Sequence, residues 1–167
     1  MKNPFPVILI LISTSCICND LIGQESRKIK RITSSVDFDG IPGEQTWKEL
    51  DLFALTMHKP NYGSQPSEKN DIRIGYDDEF LWIGASLFME DATKIFAVTK
   101  KRDEMLFDYD AFGIILDTYN DNENGLAFFT APTGLRTDYT ISNDASGGGG
   151  PGMNILNTSW NTFWDVK

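Results

Sequence analysis

Short segments that alternate polar and apolar residues, separated by turn residues, recur along the chain after residue 30 and constrain its fold most strongly. Asp71–Tyr76 has this two-residue period, which is typical of a strand with one buried face. The acidic turn Asp77–Glu79 follows, and Phe80–Phe88 then has the composition of a longer and more buried strand. The sequence therefore predicts a β-hairpin over residues 71–88.

A second hairpin is predicted from Ala111–Thr118 and Leu126–Thr130. The turn between them ends in Asn124-Gly125, two residues that tolerate positive φ. Leu135–Ile141 alternates again, and Ile95–Thr99 is a further candidate strand. Repeated short strands with turn signals between them are typical of an antiparallel sandwich or barrel.

Helical periodicity is nearly absent after the N-terminal segment. The exception is Gly43–Leu50, which predicts a single helical turn that docks Trp47. We therefore expect an all-β fold, an antiparallel β-sandwich.

The first 24 residues have the pattern of a cleavable export signal rather than of a folded element. A positive start, Met1-Lys2, precedes the apolar run Val7–Ile12, which is far shorter than the roughly 20 apolar residues of a membrane span. We expect a signal peptide over 1–24, a mature region over 25–167, and a location in the periplasm, the outer membrane or the extracellular space. Lipidation of Cys16 is the alternative, although Ser13 stands where such signals normally carry leucine.

Cysteine placement and charge narrow the function classes. Cys16 and Cys18 both lie in the predicted signal, so the mature region has no thiol and must be stabilised by a core. The chain carries 15 basic and 24 acidic residues, a net charge of −9. This balance argues against nucleic acid as a partner and fits an extracellular surface that can hold calcium.

The last third of the chain contains two further signals. Asn143–Gly152, with glycine at positions 147–150, predicts a flexible loop. Phe163–Lys167 has the composition of the start of a strand. A strand that ended there would leave an unpaired apolar edge on the sheet, and natural proteins usually cover or charge such edges. We therefore expect the natural protein to continue into a further domain.

Several segments, in order along residues 30–167, resemble the family 9 carbohydrate-binding module. Phe38–Trp47 has that family's aspartate-glycine pair, acidic spacer and tryptophan, and Ile74–Gly84 is similar to its hairpin, with Trp82 where the family usually has tyrosine. Lys101-Arg102-Asp103 and Asp108–Asp117 are similar to the segment that follows.

A narrower resemblance is to exported gram-negative proteins in which this module precedes a long domain thought to form an outer-membrane barrel. The residues that carry it are Arg102-Asp103, Leu116–Asp121 and Pro132–Asp138. The resemblance implies a jelly-roll-like sandwich that binds glycan or oligosaccharide ends and is often stabilised by calcium. It implies outer-membrane association through a region beyond residue 167, and no chemistry within this stretch.

Five residues are candidates for sugar binding, which needs aromatic faces for pyranose rings and polar groups for hydroxyls. Trp160, in a polar setting, is the first, and Trp164 is its partner unless it packs in the core. Tyr62 lies in a loop and could instead cover the edge of the core. Arg102 could bind two hydroxyls with Asp103 orienting it, or the two could form a structural ion pair. We identify no pair of tryptophans that face each other across a slot.

Metal binding and catalysis have weaker signals. Asp117, Asn120, Asp121, Asn122 and Asn124 crowd one loop with oxygen atoms, and Asp103, Asp108 and Asp110 form a second acidic cluster. Either could hold a structural calcium ion, but the first lacks EF-hand spacing and also fits an ordinary turn. His58 is the single histidine, and no nucleophile or paired-carboxylate motif accompanies it.

Three functional hypotheses follow. The first is a non-catalytic carbohydrate-binding module of a secreted or outer-membrane protein of polysaccharide catabolism. The second is a structural or interaction cap on an outer-membrane β-barrel, without sugar binding. The third is the targeting arm of a glycoside hydrolase whose catalytic domain lies elsewhere.

Overall fold

The structure, a computed structural model, describes residues 27–104, 108–143 and 156–167. The predicted signal peptide and both cysteines lie outside these residues, as does most of the predicted Asn143–Gly152 loop. No helix in the described ranges has the length and apolar character needed to cross a membrane.

The first sheet has three strands in the order β1-β2-β3. Strand β1 (Lys30–Arg31) runs parallel to β2 (Asn70–Tyr76), which pairs antiparallel with β3 (Leu81–Leu87). The predicted hairpin over 71–88 is thus confirmed. Helix α1 (Gln45–Glu49) lies between β1 and β2 in the chain, as predicted around Trp47.

The second sheet has four strands, all antiparallel, in the order β4-β5-β6-β7. These are β4 (Phe112–Leu116), β5 (Gly125–Thr130), β6 (Arg136–Ile141) and the short β7 (Leu156–Asn157). The predicted second hairpin and the strand after it are confirmed. The regular secondary structure of the described residues is therefore mostly strand, with α1 and a 3₁₀ turn at Ala92–Lys94 as the helical elements.

Two predicted strands are wrong. Ile95–Thr99 has no strand partner, because the backbone of Phe96 bonds instead to Asp110: its N–H donates to the carboxylate at 2.7 Å, and its carbonyl accepts from the Asp110 N–H at 2.9 Å. The segment Phe163–Lys167 also lies outside the strand ladders, because side chains bind its backbone. Both segments have strand-like composition, but their backbone groups form hydrogen bonds with side chains and loop residues and not with a neighbouring strand.

The core of the first sheet forms around Trp47, which is 5% exposed and packs with Ile32 and Leu50. A five-residue helix is too short to be stable alone, so its burial and its end contacts hold it. Arg73 on β2 donates Nη1 to the carbonyl oxygens of Trp47 and Leu50, at 3.0 and 2.8 Å. A cation thus binds carbonyl groups at the helix C-terminus, where the Trp47 oxygen also accepts from the N–H of Leu50 at 3.2 Å.

Gly84 on β3 lets the helix approach this sheet closely. A Cβ at this position would lie 2.9 Å from the Trp47 ring and 2.9 Å from Cβ of Pro42. These contacts are too short for carbon atoms, so only glycine allows the observed packing.

We expect Gly84→Ala to lower the free energy of unfolding by about 1–3 kcal/mol, since an extra methyl group overpacks the site. Urea denaturation followed by tryptophan fluorescence measures the change. Gly43→Ala is the matched control, because its Cβ would make only ordinary contacts of 3.7 Å or more. Equal stability of the two variants would contradict this account of the packing.

Asp77 organises the turn between β2 and β3. Its Oδ1 accepts from the N–H groups of Glu79 and Phe80, both at 2.8 Å, and its Oδ2 accepts from Nε1 of Trp82 at 2.7 Å. The Trp82 hydrogen bond, followed by the two backbone donors, lowers the pKa of the Asp77 carboxyl.

This lowered pKa predicts a sign for the pH dependence of stability. A carboxyl with a depressed folded-state pKa stabilises the protein above its unfolded-state pKa and loses that contribution as the pH falls through the folded-state value. We expect the stability difference between the wild type and Asp77→Asn to shrink as the pH drops below the ordinary aspartate range. Urea denaturation at stepwise pH measures this difference, and a pH-independent difference would refute the assignment.

Candidate functional site

A fully buried carboxylate lies at the centre of the candidate site. Asp138 on β6 is 0% exposed, and its Oδ1 forms an ion pair with Nη2 of Arg102. Its Oδ2 accepts from the backbone N–H of Thr162 at 2.9 Å. A buried carboxylate is costly unless it is paired and hydrogen-bonded, and both conditions are met here.

Arg102 reaches Asp138 from the loop that precedes β4. The next residue, Asp103, fixes this loop by donating its N–H to the carbonyl oxygen of Arg136 at 3.0 Å, with a positive φ of 64°. Aspartate is among the few residues that adopt this conformation readily. Arg102 also donates Nη2 to the carbonyl oxygen of Thr162 at 3.3 Å, and its side chain remains 33% exposed.

The Asp103 carboxylate lies beside the same guanidinium group. Its Oδ2 is 3.8 Å from Nε of Arg102, too far for a hydrogen bond but close enough for an ion pair. The buried Nε atom has no hydrogen-bond partner among the residues that the structure describes. Asp103 thus contributes a carboxylate whose hydrogen-bonding capacity is not used by Arg102.

Two tryptophans flank one phenylalanine ring next to this ion pair. The centroid of Phe128 lies 6.1 Å from that of Trp160 and 5.5 Å from that of Trp164, both in edge-on geometry. Phe128 on β5 pairs directly with Asp138 on β6, so the two side chains share one face of the sheet. Both tryptophans are partly buried, so each retains solvent-accessible surface.

Side chains of β6 hold the segment that carries both tryptophans. Arg136 donates Nη1 to the carbonyl oxygen of Trp164 at 2.7 Å and to Oδ1 of Asp165 at 2.9 Å. Exposure alternates along residues 160–167, with the even positions partly buried and the odd ones exposed. This period places Trp160, Thr162 and Trp164 on one side of an extended segment.

Four of the five predicted site residues come together in the structure. Arg102 pairs with Asp138 and has Asp103 beside it, and Trp160 and Trp164 pack on Phe128, the cross-strand neighbour of Asp138. Tyr62 lies in another loop, 84% exposed and edge-on to His58, with 5.9 Å between ring centroids. The sequence also allowed Arg102 to form a structural ion pair with Asp103. In the structure Arg102 does form an ion pair, but its main partner is the buried Asp138. Ligand binding by these residues stays a prediction.

Sequence reasoning missed Asp138, Phe128 and Thr162 as parts of this site. A signal for Asp138 does exist, because Arg136 and Asp138 are charged residues two positions apart in a predicted strand and must share a face. Nothing in the sequence pairs Asp138 with Arg102, which lies 36 residues earlier.

The site is nearly balanced in charge. Arg102 and Arg136 stand against the carboxylates of Asp103, Asp138 and Asp165. Guanidinium donors and carboxylate acceptors beside aromatic rings can bind hydroxyl-rich neutral molecules by hydrogen bonding and stacking.

The carboxylates of the first predicted calcium cluster bind donors within their own loop, while in the second cluster Asp103 lies beside Arg102 and Asp110 accepts from the N–H of Phe96. Asp117 accepts from the N–H of Asn122 at 2.9 Å, and Asp121 accepts from the N–H groups of Glu123 and Asn124 at 2.9 and 2.8 Å. The side-chain amide of Asn124 and these backbone donors lower the pKa of the Asp121 carboxyl. Within the described ranges, no three His, Cys, Asp or Glu side chains converge as metal ligands. Calcium stays a prediction.

No protein-family model matches the chain, and no curated protein or solved structure matches it either.

We expect Asp138→Asn to lower the free energy of unfolding by about 2–4 kcal/mol, because Arg102 then loses its buried counter-charge. Asp165→Asn should cost less than about 1 kcal/mol, since that pair is exposed. Urea denaturation measures both. The double variant Asp138→Asn with Arg102→Met should be more stable than Asp138→Asn alone, because the guanidinium group that lost its buried counter-charge is removed as well. A double variant that is less stable would contradict this pairing.

Proposed function

We propose that residues 25–167 form a non-catalytic carbohydrate-binding module of an exported protein. The observation that carries the proposal is the exposed part of Arg102, held by the buried Asp138 beside Trp160 and Trp164. The resemblance of the sequence to the family 9 carbohydrate-binding module supports the same assignment.

The proposed ligand is the end of a glycan or oligosaccharide chain. Trp160 supplies apolar ring surface for the C–H face of a pyranose, Arg102 donates to ring hydroxyls, and Asp103 accepts from them. Because Asp138 and Thr162 already fix Nη2 of Arg102, the guanidinium group loses little conformational freedom on binding.

The arrangement of the two sheets is part of the same proposal. We propose that the two sheets are the layers of a jelly-roll-like β-sandwich, with calcium as a structural ion. Each sheet has its own group of buried residues: Ile32, Trp47 and Leu50 in the first, and Tyr109, Ala131 and Leu135 next to the second. Export, through the N-terminal signal, would place the module where extracellular polysaccharide is bound and degraded.

Isothermal titration of the protein with oligosaccharides from plant and algal cell walls, with calcium and again with a chelator, tests this function. For a sugar that binds, we expect Trp160→Leu to weaken affinity by on the order of ten-fold, through the loss of ring stacking. Reduction of the reducing-end sugar to its alditol should abolish binding if the reducing end is recognised, and should leave it unchanged if the other chain end is.

Tyr62→Leu is the matched control, because Tyr62 is an exposed aromatic residue in a separate loop. Its affinity should equal that of the wild type. Failure of the whole panel, with the fold intact by circular dichroism, would overturn the proposed function. Equal losses in both variants would overturn the location of the site.

A second candidate function is an interaction domain of an outer-membrane assembly, without sugar binding. Phe163 favours it, because this aromatic side chain is fully exposed between two residues of the site, Thr162 and Trp164. Exposed aromatic residues are enriched at protein interfaces. Failure of the glycan panel would favour this function.

A further inference from the structure

A second aromatic cluster lies at the turn between β2 and β3. Trp82 is flanked edge-on by Phe38, at 6.2 Å between ring centroids, and by Phe80, at 5.2 Å. We call these three residues the Trp82 cluster. Phe38 is 45% exposed and Phe80 is 55% exposed, while Trp82 packs partly against the Trp47 core. Aromatic surface of Phe38 and Phe80 is therefore open to solvent next to a partly buried indole ring.

Carboxylates adjoin each exposed ring of this cluster. Phe38 lies between Asp37 and Asp39, and Phe80 directly follows Asp77-Asp78-Glu79. Adjacent residues are only about 3.8 Å apart along the backbone, so these charges lie well within one screening length of the rings.

The carboxylate of Asp77 also acts on the indole itself. Trp82 donates Nε1 to Oδ2 of Asp77 at 2.7 Å. A hydrogen bond to an anion draws the N–H proton outward and makes the indole ring more electron-rich. The ring face therefore becomes more attractive to a positive charge.

The guanidinium group of Arg31 lies at this turn, where it is already paired with a carboxylate. Its Nη2 forms an ion pair with Asp78, and the hydrogen bond to that carboxylate, followed by its charge, raises the pKa of Arg31. Asp77 has no ion-pair partner among the described residues, and its hydrogen-bond donors are uncharged. The neighbourhood of the rings therefore keeps a net negative potential.

The aromatic cluster of the proposed sugar site differs from the Trp82 cluster in the charge beside it. Phe128, Trp160 and Trp164 lie beside Arg102, whose guanidinium group would repel a bound cation. The chain itself shows that its exposed rings accept cations, because Nζ of Lys69 lies 5.1 Å from the ring centroid of Phe88. The Trp82 cluster combines aromatic surface with carboxylates and lacks such an internal cation within the described residues.

We propose that the Trp82 cluster binds alkylammonium groups, methylated or primary, by cation–π contact with Phe38, Phe80 and Trp82. The surrounding carboxylates attract the cation, and the rings exclude water from its apolar substituents. This site is distinct from the proposed sugar site, and neither proposal depends on the other.

The test is a titration of the protein with choline, followed through the indole N–H resonance of Trp82 by NMR. Trp82→Phe identifies that resonance among the four tryptophans. We expect a saturable shift with choline and with n-butylammonium, in the millimolar range typical of exposed sites, and weaker binding at high salt. The neutral tert-butyl analogue of choline, which has the same shape without the charge, should give no saturable shift.

Two variants locate the site. Phe80→Leu keeps an apolar side chain and removes a ring, and we expect it to weaken choline binding by about two- to five-fold. Phe163→Leu, at a fully exposed ring outside the cluster, should leave the affinity unchanged.

Equal binding of the neutral analogue would overturn the cation–π assignment. An unchanged affinity in Phe80→Leu, or no saturable response to either cation, would overturn the site. Binding of choline alone would assign methylated ammonium as the ligand, and binding of both cations would assign ammonium groups in general. Because none of these measurements uses sugar, they stand whatever the outcome of the glycan titration.

Discussion

The second half of the structure depends on one buried charge. Asp138 has no contact with water, so its carboxylate must be satisfied entirely by the protein. Its two oxygens connect three separate parts of the chain: the loop of Arg102, strand β6 and the segment of Thr162. This connection positions the guanidinium directly, and through Thr162 it helps Arg136 to hold the segment that carries the two tryptophans.

The two aromatic clusters show how charge assigns different roles to similar rings. Each consists of three rings in edge-on contact, and each includes tryptophan. Around Phe128, arginines and carboxylates nearly balance, which suits a neutral ligand rich in hydroxyl groups. Around Trp82, adjacent carboxylates dominate, which suits a cation. In both proposals the apolar ring surface supplies affinity, and the neighbouring charges supply selectivity.

Sequence patterns predicted what local physics determines. The hairpin over 71–88 and the helical turn at Trp47 depend on alternation, turn residues and one large apolar side chain, all visible within a few neighbours. Ile95–Thr99 and Phe163–Lys167 share that composition, yet distant polar groups bind their backbones instead of a strand. Trp160 and Arg102 were identifiable by type, but Asp138 was not, because its partners Arg102 and Thr162 lie 36 and 24 residues away.

The segment that carries Trp160 and Trp164 is attached by side chains rather than by a strand ladder. Its detachment from β6 would break few hydrogen bonds and would leave the pairing of β4, β5 and β6 intact. The same detachment would leave one oxygen of the buried Asp138 without its Thr162 donor, and Phe128 without both tryptophan rings. The aromatic wall of the proposed sugar site is therefore held in place by the cost of leaving a buried carboxylate unsatisfied, in the absence of strand pairing.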